Sequence, residues 1–136
     1  MNIFFNTLKP SNGIDSLIGG HTRIEGDVFF SGGLRLDGSV RGKVSALPEQ
    51  PGTLVVGENG RIDGEVVVPH LVVNGTINGN VIESETLELQ SSARVSGDVN
   101  YEFITVRPGA IVDGRLAHRG RIEPARGAAL HLASGG

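Results

Sequence analysis

Apolar and polar residues alternate in short runs along most of the chain, and the runs return at regular intervals. Six related hexapeptides, such as RIEGDV at 23–28 and RIDGEV at 61–66, place a glycine between two apolar positions. The spacing of successive motif glycines is 15 to 22 residues and averages about 17.6. Alternation at a period of two, in runs of three to five residues, predicts very short β-strands. The motif glycines are Gly26, Gly42, Gly64, Gly79, Gly97 and Gly114.

Each repeat contains more than one such run. A short apolar segment precedes the glycine motif, as at 54–56 and 71–73, and another follows it, as at 66–68. Strands this short are not stable alone, but coils of three strands can stack at about 4.8 Å per layer. The repeats therefore predict an all-β chain, a single-stranded parallel β-helix (β-solenoid) of about six coils of ~17 residues.

Apolar residues at equivalent positions of the repeats predict two ladders inside the solenoid. The first ladder contains Ile24, Val40, Ile62, Ile77, Val95 and Val112, and the second contains Val28, Val44, Val66, Val81, Val99 and Leu116. Between the ladders, we expect the shared glycines to be structural and to form sharp corners.

The residues on either side of each glycine predict the outer surface. Glu25, Arg41 and Asp63 stand at one equivalent position in successive repeats, so that opposite charges are expected one layer apart. Asn78 follows in the same column, where its amide can pair with a neighbour. These carboxylates are expected to form a solvated face rather than an acid/base pair.

Composition excludes several classes of protein. A net charge of −3 gives no general attraction to nucleic acid. The absence of cysteine rules out disulfides and cysteine-ligated zinc, and it suits the cytoplasm. The first residues lack the features of a secretory signal, and no apolar run is long enough to span a membrane.

Three regions follow from the extent of the repeats. Residues 1–16 lack the repeat and are expected to be a flexible N-terminal tail, residues 17–116 form the β-helix, and residues 117–136 are expected to be a flexible, basic C-terminal tail. Within the β-helix, two prolines and a glycine at 46–52 predict a surface loop.

The repeats, with the segments SLIGGHTRIEGDV (16–28), LRLDGSVRGKV (34–44) and GAIVDG (109–114), resemble the bactofilins, a family of bacterial cytoskeletal proteins. The resemblance implies a right-handed, triangular β-helix with disordered tails. It also implies self-assembly without nucleotide or cofactor into non-polar filaments, joined head to head and tail to tail. Such filaments scaffold cell-shape and cell-wall proteins at the inner face of the cytoplasmic membrane.

An open solenoid ends in unpaired strand edges, and neither end of this one shows a polar or helical cap in its sequence. We therefore expect both ends to be contacts between subunits. The candidates for the N-terminal contact are Leu17, Ile18, Ile24 and Val28, and those for the C-terminal contact are Phe103, Ile111, Val112 and Leu116. Many bactofilins are similar in having an aromatic residue where Val112 stands, so Val112 and Phe103 are alternative key contacts. The competing interpretation is that these residues only close the core of a monomer.

The N-terminal tail contains four apolar residues, Ile3, Phe4, Phe5 and Leu8. Some bactofilins are similar in reaching the membrane with such a peptide, and many copies in a polymer would strengthen weak binding by avidity. The alternative is that these residues fold back on the first coil or pack on a neighbour.

Two other classes share a solenoid fold. Hexapeptide acyltransferases and carbonic-anhydrase-like proteins use histidine as a base or metal ligand. The four histidines here are not clustered in sequence, and the repeat drifts too far from a strict 18-residue period for that class. We therefore expect no catalytic, cofactor or metal site. A non-polymerising adaptor is the remaining alternative, and only the assembly state distinguishes it from a filament protein.

Overall fold

The computed structural model of the protein describes residues 14–48, 52–118, 121–122 and 131–132. These residues form short strands, and no helix occurs among them. The first nine strands are β1 (Ser16–Ile18), β2 (Arg23–Glu25), β3 (Val28–Phe30), β4 (Gly32–Leu36), β5 (Ser39–Arg41), β6 (Val44–Ala46), β7 (Gly52–Val56), β8 (Arg61–Asp63) and β9 (Val66–Val67). The remaining strands are β10 (His70–Val73), β11 (Thr76–Asn78), β12 (Val81–Leu89), β13 (Arg94–Ser96), β14 (Val99–Val106), β15 (Ile111–Asp113), β16 (Leu116–His118), β17 (Arg121–Ile122) and β18 (His131–Leu132).

The strands stack in three columns, which we call the first, second and third faces. The first face contains β1, β4, β7, β10 and the later halves of β12 and β14. The second face contains β2, β5, β8, β11, β13 and β15, followed by β18. The third face contains β3, β6, β9, the starts of β12 and β14, and β16, followed by β17. Up to β16 every pairing is parallel and joins one coil to the next, which confirms the predicted β-solenoid of about six coils.

Both predicted ladders are confirmed by the strand register. On the second face, Ile62 pairs with Val40 on one side and Ile77 on the other, and on the third face Val66 pairs with Val44 and Val81. A further ladder lies on the first face, where leucines such as Leu54 and Leu71 are opposite each other. These aliphatic side chains form the core of the solenoid, and those of the middle coils are fully buried.

The motif glycines stack on one another at the corner between the second and third faces. The backbone of Gly64 has φ of +155°, a conformation that favours glycine. A Cβ atom at Gly64 would lie 2.1 Å from the carbonyl oxygen of Gly42 in the preceding coil. Gly114 has no such φ, but a Cβ there would lie 2.0 Å from the carbonyl oxygen of Gly97. The space beside Gly64 and Gly114 is therefore filled by the backbone of the preceding coil, as a structural corner requires.

The charged column of the second face stacks in the predicted order, with Glu25 opposite Arg41 and Arg41 opposite Asp63. The shortest ion pairs, however, join residues two apart on one strand: Arg61 lies 3.1 Å from Asp63, whereas Arg41 lies 3.9 Å from Glu25. Asn78 donates a 2.8 Å hydrogen bond from its amide to Asp63, as the sequence suggested. Neighbouring coils are thus joined on the surface by side-chain hydrogen bonds as well as by charge.

Two predicted features lie partly outside the described residues. The N-terminal tail is described only from Ile14, where the Asp15 carboxylate accepts a 2.9 Å hydrogen bond from the Gly33 N–H of the next coil. The predicted surface loop at 46–52 includes residues 49–51, which are not described.

Candidate assembly ends of the solenoid

The N-terminal end presents an open strand edge on each face. Within residues 14–48 and the other described segments, β1 pairs only with β4, β2 only with β5, and β3 only with β6. The opposite edge of each of these strands has no strand partner in the described chain. Unpaired edges of this kind are sites where another chain can add strands.

The inward side chains of the first coil are less buried than their counterparts in the middle coils. Ile18, Ile24 and Val28 pack against the core but remain partly exposed, whereas Ile62 and Val66 in the same ladders are fully buried. Three of the four predicted N-terminal contact residues therefore lie at the open end of the core. The fourth, Leu17, is opposite Arg35 on the outer side of the first face and is 60% exposed.

The C-terminal end is different, because later parts of the chain pair with it. β17 runs antiparallel to β16, and β18 runs parallel to β15. The edge of the first face, at residues 103–106 of β14, has no further strand among the described residues. The prediction of an uncovered C-terminal end is therefore wrong for two of the three faces.

The residues predicted for the C-terminal contact occupy different positions. Val112 and Leu116 point into the core of the last coil and are 0% and 4% exposed. Ile111 is partly exposed in the outer column of the second face, where it stands opposite Arg94. Val112 stands opposite Leu132 of β18, so this part of the end is already paired.

Phe103 lies on the side of the solenoid rather than at its end. Its side chain is 64% exposed, and it follows Thr86 in the outer column of the first face. With Thr53, His70 and Val72 it lines a shallow lateral groove that crosses four coils. Of the two alternative key contacts, Val112 points into the core, whereas Phe103 points outward from the side of the solenoid.

The sequence interpretation missed an aromatic contact near the C-terminal end. Tyr101 on β14 is buried, and its ring centroid lies 5.6 Å from that of His118 on β16, with the ring planes tilted by 45°. The two residues are register partners on the third face. The tail predicted from residue 117 onward includes His118, because no apolar repeat follows Leu116, but the strand continues through it.

On the polar surface of the second face, local hydrogen bonds affect the ionisation of one carboxyl group, that of Asp63. The amide of Asn78 and the guanidinium of Arg61 both donate to Asp63, and these bonds hold the pKa of that carboxyl below its usual range. Asp63 therefore stays ionised as part of a surface network. This arrangement is that of a structural carboxylate, not of a general acid.

The histidines lie apart in the fold. His21 is in the turn before β2, His70 begins β10 and bonds Thr86 through Nδ1 at 2.8 Å, and His131 begins β18. Among the described residues, no three His, Asp or Glu side chains are grouped so that they could hold a metal ion.

The part of the chain that the structure describes forms no helix with the length and hydropathy needed to cross a bilayer. The apolar N-terminal residues Ile3, Phe4, Phe5 and Leu8 lie outside the described residues.

Comparison with known proteins places the solenoid in a family. A family model described as "Bactofilin: Polymer-forming cytoskeletal" matches residues 16–117. Bactofilin BacO of Myxococcus xanthus (strain DK1622) is 28% identical over 102 residues, which cover 75% of this chain and 78% of that protein. Bactofilin BacP of the same strain is 30% identical over 121 residues, covering 88% of this chain and 48% of that protein. No significant match to a solved structure was found. Because the family model covers the whole six-coil solenoid and most of the sequence, we conclude that this chain belongs to the bactofilin family.

Proposed function

We propose that this protein is a cytoskeletal subunit that assembles end to end, without nucleotide, into non-polar filaments. The observation that carries the proposal is the open N-terminal end, where three edge strands and three partly exposed core residues lie together. The description of the family as polymer-forming agrees with it.

The N-terminal contact is favourable for the same reasons that one coil stacks on the next. Fully burying an aliphatic side chain contributes about 1.5–3 kcal/mol, so completing the burial of Ile18, Ile24 and Val28 supplies part of that for each residue. Pairing the edge strands also satisfies their backbone groups. If each end meets its own kind, both contacts are isologous, and a subunit with two such contacts forms an unlimited, non-polar chain.

Nucleotide has no structural part in this scheme. From Gly42 onward the repeated glycines are packed against the carbonyl groups of the preceding coil, so these glycines do not form an open loop that could cradle a phosphate. Assembly would then depend on the protein concentration and on whether the two ends of the solenoid are free to stack.

We further propose that the filament is a scaffold at the inner face of the cytoplasmic membrane. Its sides, including the groove beside Phe103, would display binding surfaces to cell-wall or morphogenesis proteins. The apolar residues Ile3, Phe4, Phe5 and Leu8 would attach it to the membrane, with many weak contacts acting together.

Electron microscopy of the purified full chain, without nucleotide and over a wide range of concentrations, tests the end-to-end contact. The informative variant is Ile24→Arg, because a charge at the open end of the core would be buried without a partner on stacking. We expect filaments from the parent above a threshold concentration, and none from Ile24→Arg.

The matched control is Phe103→Arg, which adds the same charge to an exposed lateral position. It should assemble as the parent does if stacking is axial, and its failure to assemble would instead make Phe103 a subunit contact. Circular dichroism establishes that both variants fold. A parent that stays monomeric at every soluble concentration would overturn polymerisation and favour the non-polymerising adaptor.

A further inference from the structure

The two ends of the solenoid are not equally available to a second subunit. At the N-terminal end the described edges are open, whereas at the C-terminal end β17 and β18 occupy the edges of β16 and β15. We propose that β17 and β18 form a built-in cap, which competes with a second copy of the protein for the C-terminal end and so limits filament growth. This inference rests on the proposed function, since it concerns the second of the two contacts that a filament needs.

β17 occupies its edge in the way that a second subunit would. Every strand pairing from β1 to β16 is parallel, but β17 pairs with β16 in the antiparallel sense, with Ala117 opposite Ile122 and His118 opposite Arg121. An edge strand that meets its own copy across a two-fold axis perpendicular to it also runs antiparallel to that copy. β17 therefore takes the place that β16 of another subunit would need in a tail-to-tail contact.

β18 occupies the neighbouring edge in the way that a further coil would. It lies parallel to β15, with His131 opposite Ile111 and Leu132 opposite Val112. A second subunit cannot reach the backbone groups of this edge of β15 until β18 leaves. The buried state of Val112 and Leu116, in contrast to Ile24 and Val28 at the other end, agrees with an end that is already closed.

The cap is a weak one. β17 and β18 have two residues each, and the edge of the first face at 103–106 remains without a partner in the described chain. A few backbone hydrogen bonds contribute little net stability, so a second copy at high concentration can displace these strands by mass action. At low concentration the full chain should stop at a dimer joined through the N-terminal ends, and it should elongate only above a higher threshold.

A reversible lock tests this directly, because the chain has no cysteine of its own. Ile111 and His131 are register partners in parallel strands, about 4.8 Å apart, which falls within the Cα separation of about 4.4–6.8 Å that a disulfide accepts. The double variant Ile111→Cys with His131→Cys should stop at the dimer at every concentration when oxidised. On reduction it should regain the threshold of the single variant Ile111→Cys, which accounts for any effect of the Ile111 side chain on the contact itself, as measured by sedimentation.

The matched control places the same lock in the middle of the stack. Thr76 and Arg94 are register partners in the same outer column of the second face. The double variant Thr76→Cys with Arg94→Cys should therefore elongate like the parent in both redox states. If the oxidised variant with Ile111→Cys and His131→Cys elongates at the same threshold concentration as this control, the proposed cap is wrong.

Truncation after His118 gives the opposite change, since it removes both capping strands and leaves all six coils. The threshold concentration should fall by about tenfold, and the dimer should no longer accumulate. Equal thresholds for the truncated and full chains would overturn the cap and leave the proposed function standing. If the folded, truncated chain fails to assemble at any concentration, the C-terminal contact of the proposed function is itself wrong. If truncation unfolds the chain, the two locked variants decide the question.

Discussion

The first and last coils are built from the same motif, yet their inward side chains are buried to different extents. Val28 and Val112 both come from the repeated hexapeptides and both point to the core. Val112 is fully buried, next to β18, whereas Val28 remains partly exposed at the open end. In a solenoid, then, an apolar position gains its full stabilisation only when a neighbouring layer covers it.

The strongest test of this comparison uses one substitution in two coils. Gly64→Ala should destabilise the fold by about 3 kcal/mol or more, because the new Cβ would meet the Gly42 carbonyl oxygen and φ is positive. Gly26 also has positive φ, but a Cβ there would have nothing within 4 Å, so Gly26→Ala should cost only about 1 kcal/mol. Urea denaturation measures both values. Equal losses would show that the preceding coil does not determine the cost.

The second test compares the two ends with valine truncations. Val112→Ala should lower the free energy of unfolding by about 2 kcal/mol, and Val28→Ala by about half as much, since Val28 starts from a partly exposed state. Thermal denaturation of dilute protein gives these values. Above the assembly threshold the cost of Val28→Ala should rise toward that of Val112→Ala. An unchanged Val28→Ala cost in assembled protein would argue against burial of the first coil in the filament.

The smallest effect concerns Asp63, which is hydrogen-bonded between neighbouring coils. Because its pKa is lowered in the folded protein, Asp63 stabilises the fold above the ordinary carboxyl pKa of about 3.9, and this contribution is lost as the pH falls through the lowered value. Asp63→Asn should therefore make unfolding less sensitive to acid below about pH 4. Asn78→Ala removes the largest cause of the shift and should act in the same direction. Stability curves from pH 2 to 7 that parallel the parent for both variants would contradict this.

The interior of the fold could be predicted from sequence because its register repeats. A glycine between two apolar residues fixes both the corner and the two ladders, so the partners of Ile62 and Val66 follow from counting. The same counting gave the order of Glu25, Arg41 and Asp63, but not the closer pairing of Arg23 and Arg61 with the carboxylate on their own strand. That preference depends on the conformations of long side chains, which register does not determine.

The C-terminal end was not predictable in the same way. Strand pairing at an edge uses backbone groups that every residue except proline has, so β17 and β18 leave no apolar repeat in the sequence. The lateral position of Phe103, by contrast, was predictable, because Ile104 belongs to the alternating apolar pattern and packs against the core, so strand alternation turns Phe103 outward. The strands that distinguish the two ends, β17 and β18, lie outside the periodic signal.

The hydrogen bonds between coils run along the axis of the solenoid, as in the bond from Gly42 N–H to the Asp63 carbonyl in the next coil. Tension on a filament would act on every layer in series, and the layers inside a subunit are also joined by continuous chain. The junctions between subunits of the proposed filament would have no such covalent link. The proposed filament would therefore break between subunits when it is under load. Because each subunit stays folded, the broken ends could join again, and the mechanical failure would be local and repairable.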